Sequence, residues 1–171
     1  MVLMIISIIF LVMAITGAIF NIAAAAITRP ADAPPPLAQW PAITVLKPVH
    51  GTEPALAANL ESLFVQDYPG VVQVIFGTRN ADDPALAVIA QARAAHPDAD
   101  IDIVISDRRH GSNNKLSNLA NMDELGRHPI VVIADSDVAW APDALRQLAV
   151  ALAEPGVGLA SCLHVGRGDA G

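Results

Sequence analysis

The sequence predicts an α/β fold: a mostly parallel sheet with helices on both faces, preceded by one transmembrane helix. Three observations predict it. No charged residue occurs from Val2 to Ile27. Beyond Pro41, short β-rich runs alternate with segments of helical periodicity, the pattern of a sheet built from β–α units. One such run, Ile130 to Ala134, is apolar throughout, as expected of a strand buried on both faces.

The N-terminal segment comes first. Its only clearly polar side chains are Ser7, Thr16 and Asn21. A helix of about 20 apolar residues spans a hydrocarbon core, so residues 1–28 are expected to form an anchor. The rival is a cleaved signal peptide, for which Ala23 to Ala26 would supply the small residues. Against it, no Lys or Arg precedes the apolar run, which is also longer than a usual signal core. Arg29 follows the run directly, and the positive-inside rule then places the C-terminal part in the cytosol. Residues 29–41 contain five prolines and read as a stiff linker. The globular domain is expected over 42–171.

Strands are predicted at Ile43–Leu46, Val71–Phe76, Ile101–Ile105 and Ile130–Ala134, with a fifth at Val157–Leu163. Between them, Leu56, Leu60, Leu63 and Phe64 share one helical face. Pro84 starts a second helix carrying Leu86 and Ile89, and Leu116, Leu119 and Ala120 mark a third. Pro142 opens a fourth with Leu145, Leu148, Ala149 and Leu152. In parallel sheets ligands bind beyond the carboxyl ends of the strands. The segments to watch are therefore 47–53, 77–83, 107–115 and 135–138.

The formal net charge is -7 and there is no basic run, which disfavours duplex nucleic acid as a partner. The single cysteine, Cys162, rules out an intrachain disulfide and reads as a small buried residue.

Four polar segments carry the candidate chemistry. Asp135-Ser136-Asp137 leaves the end of the apolar strand. In an extended chain, carboxylates at i and i+2 point to one side and can share a hard divalent cation. Equally, the two Asp can simply form a turn. Asn80-Ala81-Asp82-Asp83-Pro84 can hydrogen-bond a base or ribose, while Asp83 before Pro84 is also a good helix N-cap. Gly111 to Lys115 opens a helix and offers backbone N–H groups and a cation to phosphate oxygens, or is an ordinary capped start. Lys47, Pro48, His50 and Gly51 follow the first strand, where a lone His is more often structural or solvated than catalytic.

Taken in order, these segments resemble family 2 glycosyltransferases, and within them the family 21 ceramide glucosyltransferases and the bacterial hopanoid-biosynthesis glycosyltransferases. The residues that carry the resemblance are Val45-Leu46-Lys47-Pro48-Val49-His50-Gly51, Asn59 to Leu63, Gln66 to Pro69, Asp82 to Ala85, Asn114 to Leu119 and Asp135-Ser136-Asp137. The resemblance implies a GT-A-like, Rossmann-like domain facing the cytosol, in a bacterium at the inner membrane. It implies a UDP-sugar donor, a lipid acceptor and a divalent metal, Mg²⁺ or Mn²⁺, on Asp135 and Asp137. Lys47, Pro48, His50, Gly51 and Lys115 would line the nucleotide. The family's Asp at the uracil end falls at Asn80, with Asp82 as the alternative. The family's general base is a later Asp, followed by a Gln/Arg-x-x-Arg-Trp motif. Neither follows here, so the chain is expected to be a C-terminally truncated donor half. The alternatives are a non-catalytic, membrane-tethered nucleotide-binding fragment and a haloacid-dehalogenase-like phosphatase, whose nucleophile would be Asp135.

Overall fold

A computed structural model of the chain describes residues 2–27, 37–162 and 166. The chain forms two compact units, Met1–Pro34 and Pro35–Gly171. Residue 28 at the end of the expected anchor and residues 29–36 of the expected linker lie outside the described residues.

The first unit is helix α1, Val2–Ile27. At 1.5 Å per residue it is about 39 Å long, more than the roughly 30 Å of a hydrocarbon core. Its stretch Ile5–Ala24 is long and apolar enough to cross a membrane. A signal sequence would meet the same test. Two of its polar side chains turn back onto their own helix: the Thr16 hydroxyl donates to Val12 O (2.8 Å) and Asn21 Nδ2 to Gly17 O (2.8 Å). Both donors are thereby satisfied without water.

The second unit holds four parallel strands, β1 Ile43–Pro48, β2 Val72–Thr78, β3 Asp100–Ile105 and β4 Ile130–Ile133, in the order β3-β2-β1-β4. Helices α2 Leu56–Phe64, α3 Ala85–Ala95, α4 Asn114–Asp123 and α5 Ala144–Ala153 follow β1 to β4 in turn. Val45 pairs with Val74 on one side and Val132 on the other.

Strand alternation sorts the core into two layers. Ile43, Val45, Val74, Phe76 and Val132 meet Leu56, Leu60 and Leu63 of α2, Ala85 and Ile89 of α3, and Leu145 of α5. On the opposite face Leu46 and Ile75 meet Leu119 and Met122 of α4. Gly77 makes that second contact possible, because a Cβ there would lie 2.2 Å from Met122 Sδ and 2.8 Å from Asn118 Oδ1.

The first four expected strands and the helices between them form where the sequence places them, but β4 is not buried on both faces: it lies at the edge of the sheet, and Val131 and Ile133 are exposed. The fifth strand does not form. Residues 157–162 form no strand, Leu159 is 84% exposed, Cys162 is exposed where a buried residue is expected, and Leu163 lies outside the described residues. The run follows Glu154-Pro155-Gly156, contains Gly158 and has Val157 as its one β-branched residue, so little in it favours a strand.

Candidate functional site

The chain winds outward through β1, β2 and β3, then returns to lay β4 on the other side of β1. This reversal is a topological switch point, and the crevice beyond the carboxyl ends of β1 and β4 is where such sheets bind ligands. Lys47 stands at the end of β1, and Asp135 and Asp137 follow β4.

The chain bends as it leaves β4. The ladder ends with Ala134 N donating to Leu46 O (3.0 Å), and Val138 N then closes a turn onto Asp135 O (3.4 Å). The extended geometry expected for Asp135-Ser136-Asp137 is therefore replaced by a turn. The cause is a set of buried side chains that claim its carbonyls. Lys47 Nζ donates to Asp135 O (2.7 Å) and Val138 O (3.5 Å), and Asn59 Nδ2 from α2 donates to Ser136 O (3.2 Å). Of the alternatives open from sequence, the turn is present, and it leaves both carboxylates available for other partners.

Lys47 is fully buried. Burial drives its pKa down to about 8, against the opposing pull of Asp135, Asp137 and Glu53. Glu53 closes the segment 47–53 that the sequence points to, but the sequence predicts no role for it. Its Oε2 is buried without a hydrogen-bond partner. Its neighbour Ala55 adopts φ 64°, in the left-handed region where a Cβ is disfavoured. No local signal marks either feature.

Lys115, in the first turn of α4, reaches across the sheet to form an ion pair with Asp135 Oδ1, both side chains about half exposed. The loop before it is held in place: His110 N donates to Ser117 Oγ (3.0 Å), and Asn121 Nδ2 to Arg108 O (3.0 Å). Asn113 caps α4 by accepting from Leu116 N (3.1 Å). The capped-start reading thus holds alongside the cation.

His50, Gly51, Asn80, Asp82 and Asp83 line a second region, an open cleft of about 390 Å³. Asp83 closes its floor. Its Oδ1 accepts from Gly51 N (2.9 Å) and Ala85 N (2.9 Å), and its Oδ2 from the Thr78 hydroxyl (2.9 Å), with His50 Nδ1 at 3.2 Å. Burial alone would raise its pKa, but these four bonds outweigh it and hold the carboxyl below the usual range. Asp83 is therefore the cap read from sequence and also a pin between the β1 and β2 loops. Asn80 and Asp82 are exposed above it. Gly51, at φ 67°, takes the turn a side chain would resist.

Asp135 and Asp137 offer hard oxygen donors of the kind Mg²⁺ and Mn²⁺ accept. Among the described residues, no group of three or more His, Cys, Asp or Glu is placed to hold a metal. A cation held by these two residues would have to draw its remaining oxygens from a ligand.

The fold has a solved counterpart. Mannosyltransferase PcManGT from Pyrobaculum calidifontis, in complex with GDP-Man and Mn²⁺, superposes with a TM-score of 0.62 at 28% identity, covering 88% of this chain and 46% of that one. The domain is thus of the GT-A-like glycosyltransferase fold. Residues 3–171 match the model for glycosyl transferase family 21, and the chain belongs to that family. Ceramide glucosyltransferase 1 of Caenorhabditis elegans is 30% identical over 112 residues, 66% of this chain and 24% of that protein. The ceramide glucosyltransferase of Candida albicans is 29% identical over 121 residues, 64% of this chain and 22% of that protein. The chain spans about a quarter of the length of these relatives.

Proposed function

We propose that this chain is the donor-binding part of a membrane-anchored, inverting glycosyltransferase that moves a sugar from a UDP-sugar to a lipid hydroxyl. The observation that carries the reading is the Lys115–Asp135 ion pair at the switch point of the sheet, on a turn that Lys47 holds by its carbonyls and that also bears Asp137. The two carboxylates of a turn that buried Lys47 fixes, together with the Lys115 ammonium, suit a metal–diphosphate, whose charges are of both signs. The ceramide glucosyltransferase relatives support the lipid acceptor, and the GDP-Man and Mn²⁺ of the structural neighbour support a nucleotide-sugar with a divalent ion.

Asp135 and Asp137 would hold the metal, which when bound offsets the charge on the departing nucleotide. Lys47 fixes the turn that presents these carboxylates. Lys115 supplies a mobile positive charge near the diphosphate. The His50–Asp83 cleft takes the nucleoside end, with Asn80 and Asp82 on its rim as candidates for the base. The base that deprotonates the acceptor is assigned to a part of the protein beyond this donor half. A hopanoid polyol is the first candidate acceptor and ceramide the second. The helix α1 would anchor the domain on the cytosolic side of the bacterial inner membrane, with the expected divisions at 1–28, 29–41 and 42–171. Family membership displaces the phosphatase alternative.

The test is calorimetric titration of UDP into the full chain in detergent micelles, with and without Mn²⁺, beside GDP as a control nucleotide. UDP is expected to bind only with Mn²⁺, and Asp135→Ala with Asp137→Ala to weaken that binding by about 100-fold or more. Metal-independent binding, or none from a demonstrably folded chain, would overturn the reading. Preference for GDP would redirect the donor and leave the metal assignment standing.

A further inference from the structure

Resting on that donor-site reading, we infer that Lys115 exchanges partners: it neutralises Asp135 when the site is empty and passes to the diphosphate when the metal takes Asp135. Four observations carry this. First, Asp135 Oδ1, a proposed metal donor, is already engaged by Lys115 Nζ. A cation on that oxygen would have to displace the ammonium. Second, the backbone of Asp135 stays fixed during any such exchange, because Lys47 holds its carbonyl from within the core. Only side chains need move.

Third, the pair opens readily. Side-chain exposure is 52% for Lys115 and 46% for Asp135, so water can solvate both partners as they separate. Ion pairs this exposed contribute little to stability. Fourth, Lys115 sits in the first turn of α4, which contains no acidic residue. The positive end of the helix dipole opposes a cation there unless an anion lies beside both. Asp135 is that anion in the structure. A metal-bound diphosphate would replace it and meet the same two positive ends, the ammonium and the helix N-terminus.

The exchange gives one substitution two effects of opposite sign. A lysine that only binds phosphate would leave metal affinity untouched when removed. A lysine that only supports the fold would weaken everything. Lys115→Met in the full chain, in micelles, removes both the competitor and the phosphate partner. Mn²⁺ alone, followed by the loss of its free paramagnetic resonance signal, is expected to bind about two- to fivefold tighter. UDP, titrated at saturating Mn²⁺, is expected to bind about tenfold weaker or worse. Lys115→Arg keeps the charge and should restore both values to near wild type. Lys115→Gln, a second neutral variant, should behave like Lys115→Met, with circular dichroism confirming the fold of each.

Weaker Mn²⁺ binding in both neutral variants, or unchanged UDP affinity, would overturn the exchange while the wild type still binds UDP with Mn²⁺. A folded wild type that shows no Mn²⁺-dependent UDP binding would remove the donor-site reading, and this inference with it.

Discussion

The two ends of the sheet treat their polar groups in opposite ways. At the amino ends of the strands, buried Thr44 and Gln73 close on each other: the Thr44 hydroxyl donates to Gln73 Oε1 (2.8 Å), which also accepts from Arg127 N (3.1 Å). Gln73 Nε2 donates to Asp102 Oδ2 (2.7 Å) and Leu125 O (3.0 Å), and His128 N returns to Thr44 Oγ1 (3.2 Å). Only His128 Nε2 is left over in that cluster. At the carboxyl ends, Glu53 Oε2 has no partner, the Asp135 carboxylate has an exposed one, and Ala55 sits in a disfavoured conformation. The difference separates polar groups that hold the fold from polar groups kept for something else. A network whose donors and acceptors are matched internally has nothing left to offer a ligand.

Three substitutions sharpen that comparison. The largest effect belongs to the amino end. Gln73→Leu strands the Thr44 hydroxyl, Leu125 O and Arg127 N, and should cost about 3 kcal/mol in chemical denaturation. Nucleotide affinity of the molecules that remain folded should be unchanged, and a parallel loss of UDP binding would break the division between the two ends.

Asp83 comes next, the one carboxyl-end group closed as tightly as Gln73. Its folded pKa lies below its unfolded value, near 3.9. The stability it confers is therefore complete above about pH 4 and is lost as pH falls through the lower, folded value. Asp83→Asn should lower stability near neutrality by about 1–2 kcal/mol and flatten the acid limb of the stability–pH curve. An acid limb identical to wild type would mean that Asp83 is no pin.

The smallest effect is at Ala55. Glycine there relieves the left-handed strain but adds freedom to the unfolded chain, so Ala55→Gly should gain about 0.5 kcal/mol in thermal unfolding. A loss would show that the loop draws its conformation from contacts of the Ala55 methyl.

Most of the fold was legible because strand and helix periods are local. Ile43–Leu46 and Ile130–Ala134 each announce themselves within five residues, and Pro84 and Pro142 mark helix starts by their fixed φ. The run at 157–163 misled because a strand needs more than apolar residues; Pro155 and Gly156 before it and Gly158 within it outweighed them. The site was legible by type and less so by geometry. Asp135, Asp137, Lys47 and Lys115 stood out, but the turn that bends Asp135-Ser136-Asp137 depends on Lys47 and Asn59, 88 and 77 residues away from the carbonyls they hold. Glu53 carries no motif, since its unpaired oxygen is a property of what surrounds it in three dimensions.

Gly77 gives the domain a built-in gauge. Its missing side chain lets α4 rest against β2, with Asn118 Nδ2 donating to Gly77 O (2.9 Å) and fully buried Met122 filling the space a methyl would need. Lys115 rides at one end of that same helix, and its reach to Asp135 is set by how closely the helix lies. Position 77 thus works as the fulcrum of a lever whose far arm is the ammonium, so one carbon atom added beneath the helix would be felt at the crevice without touching it.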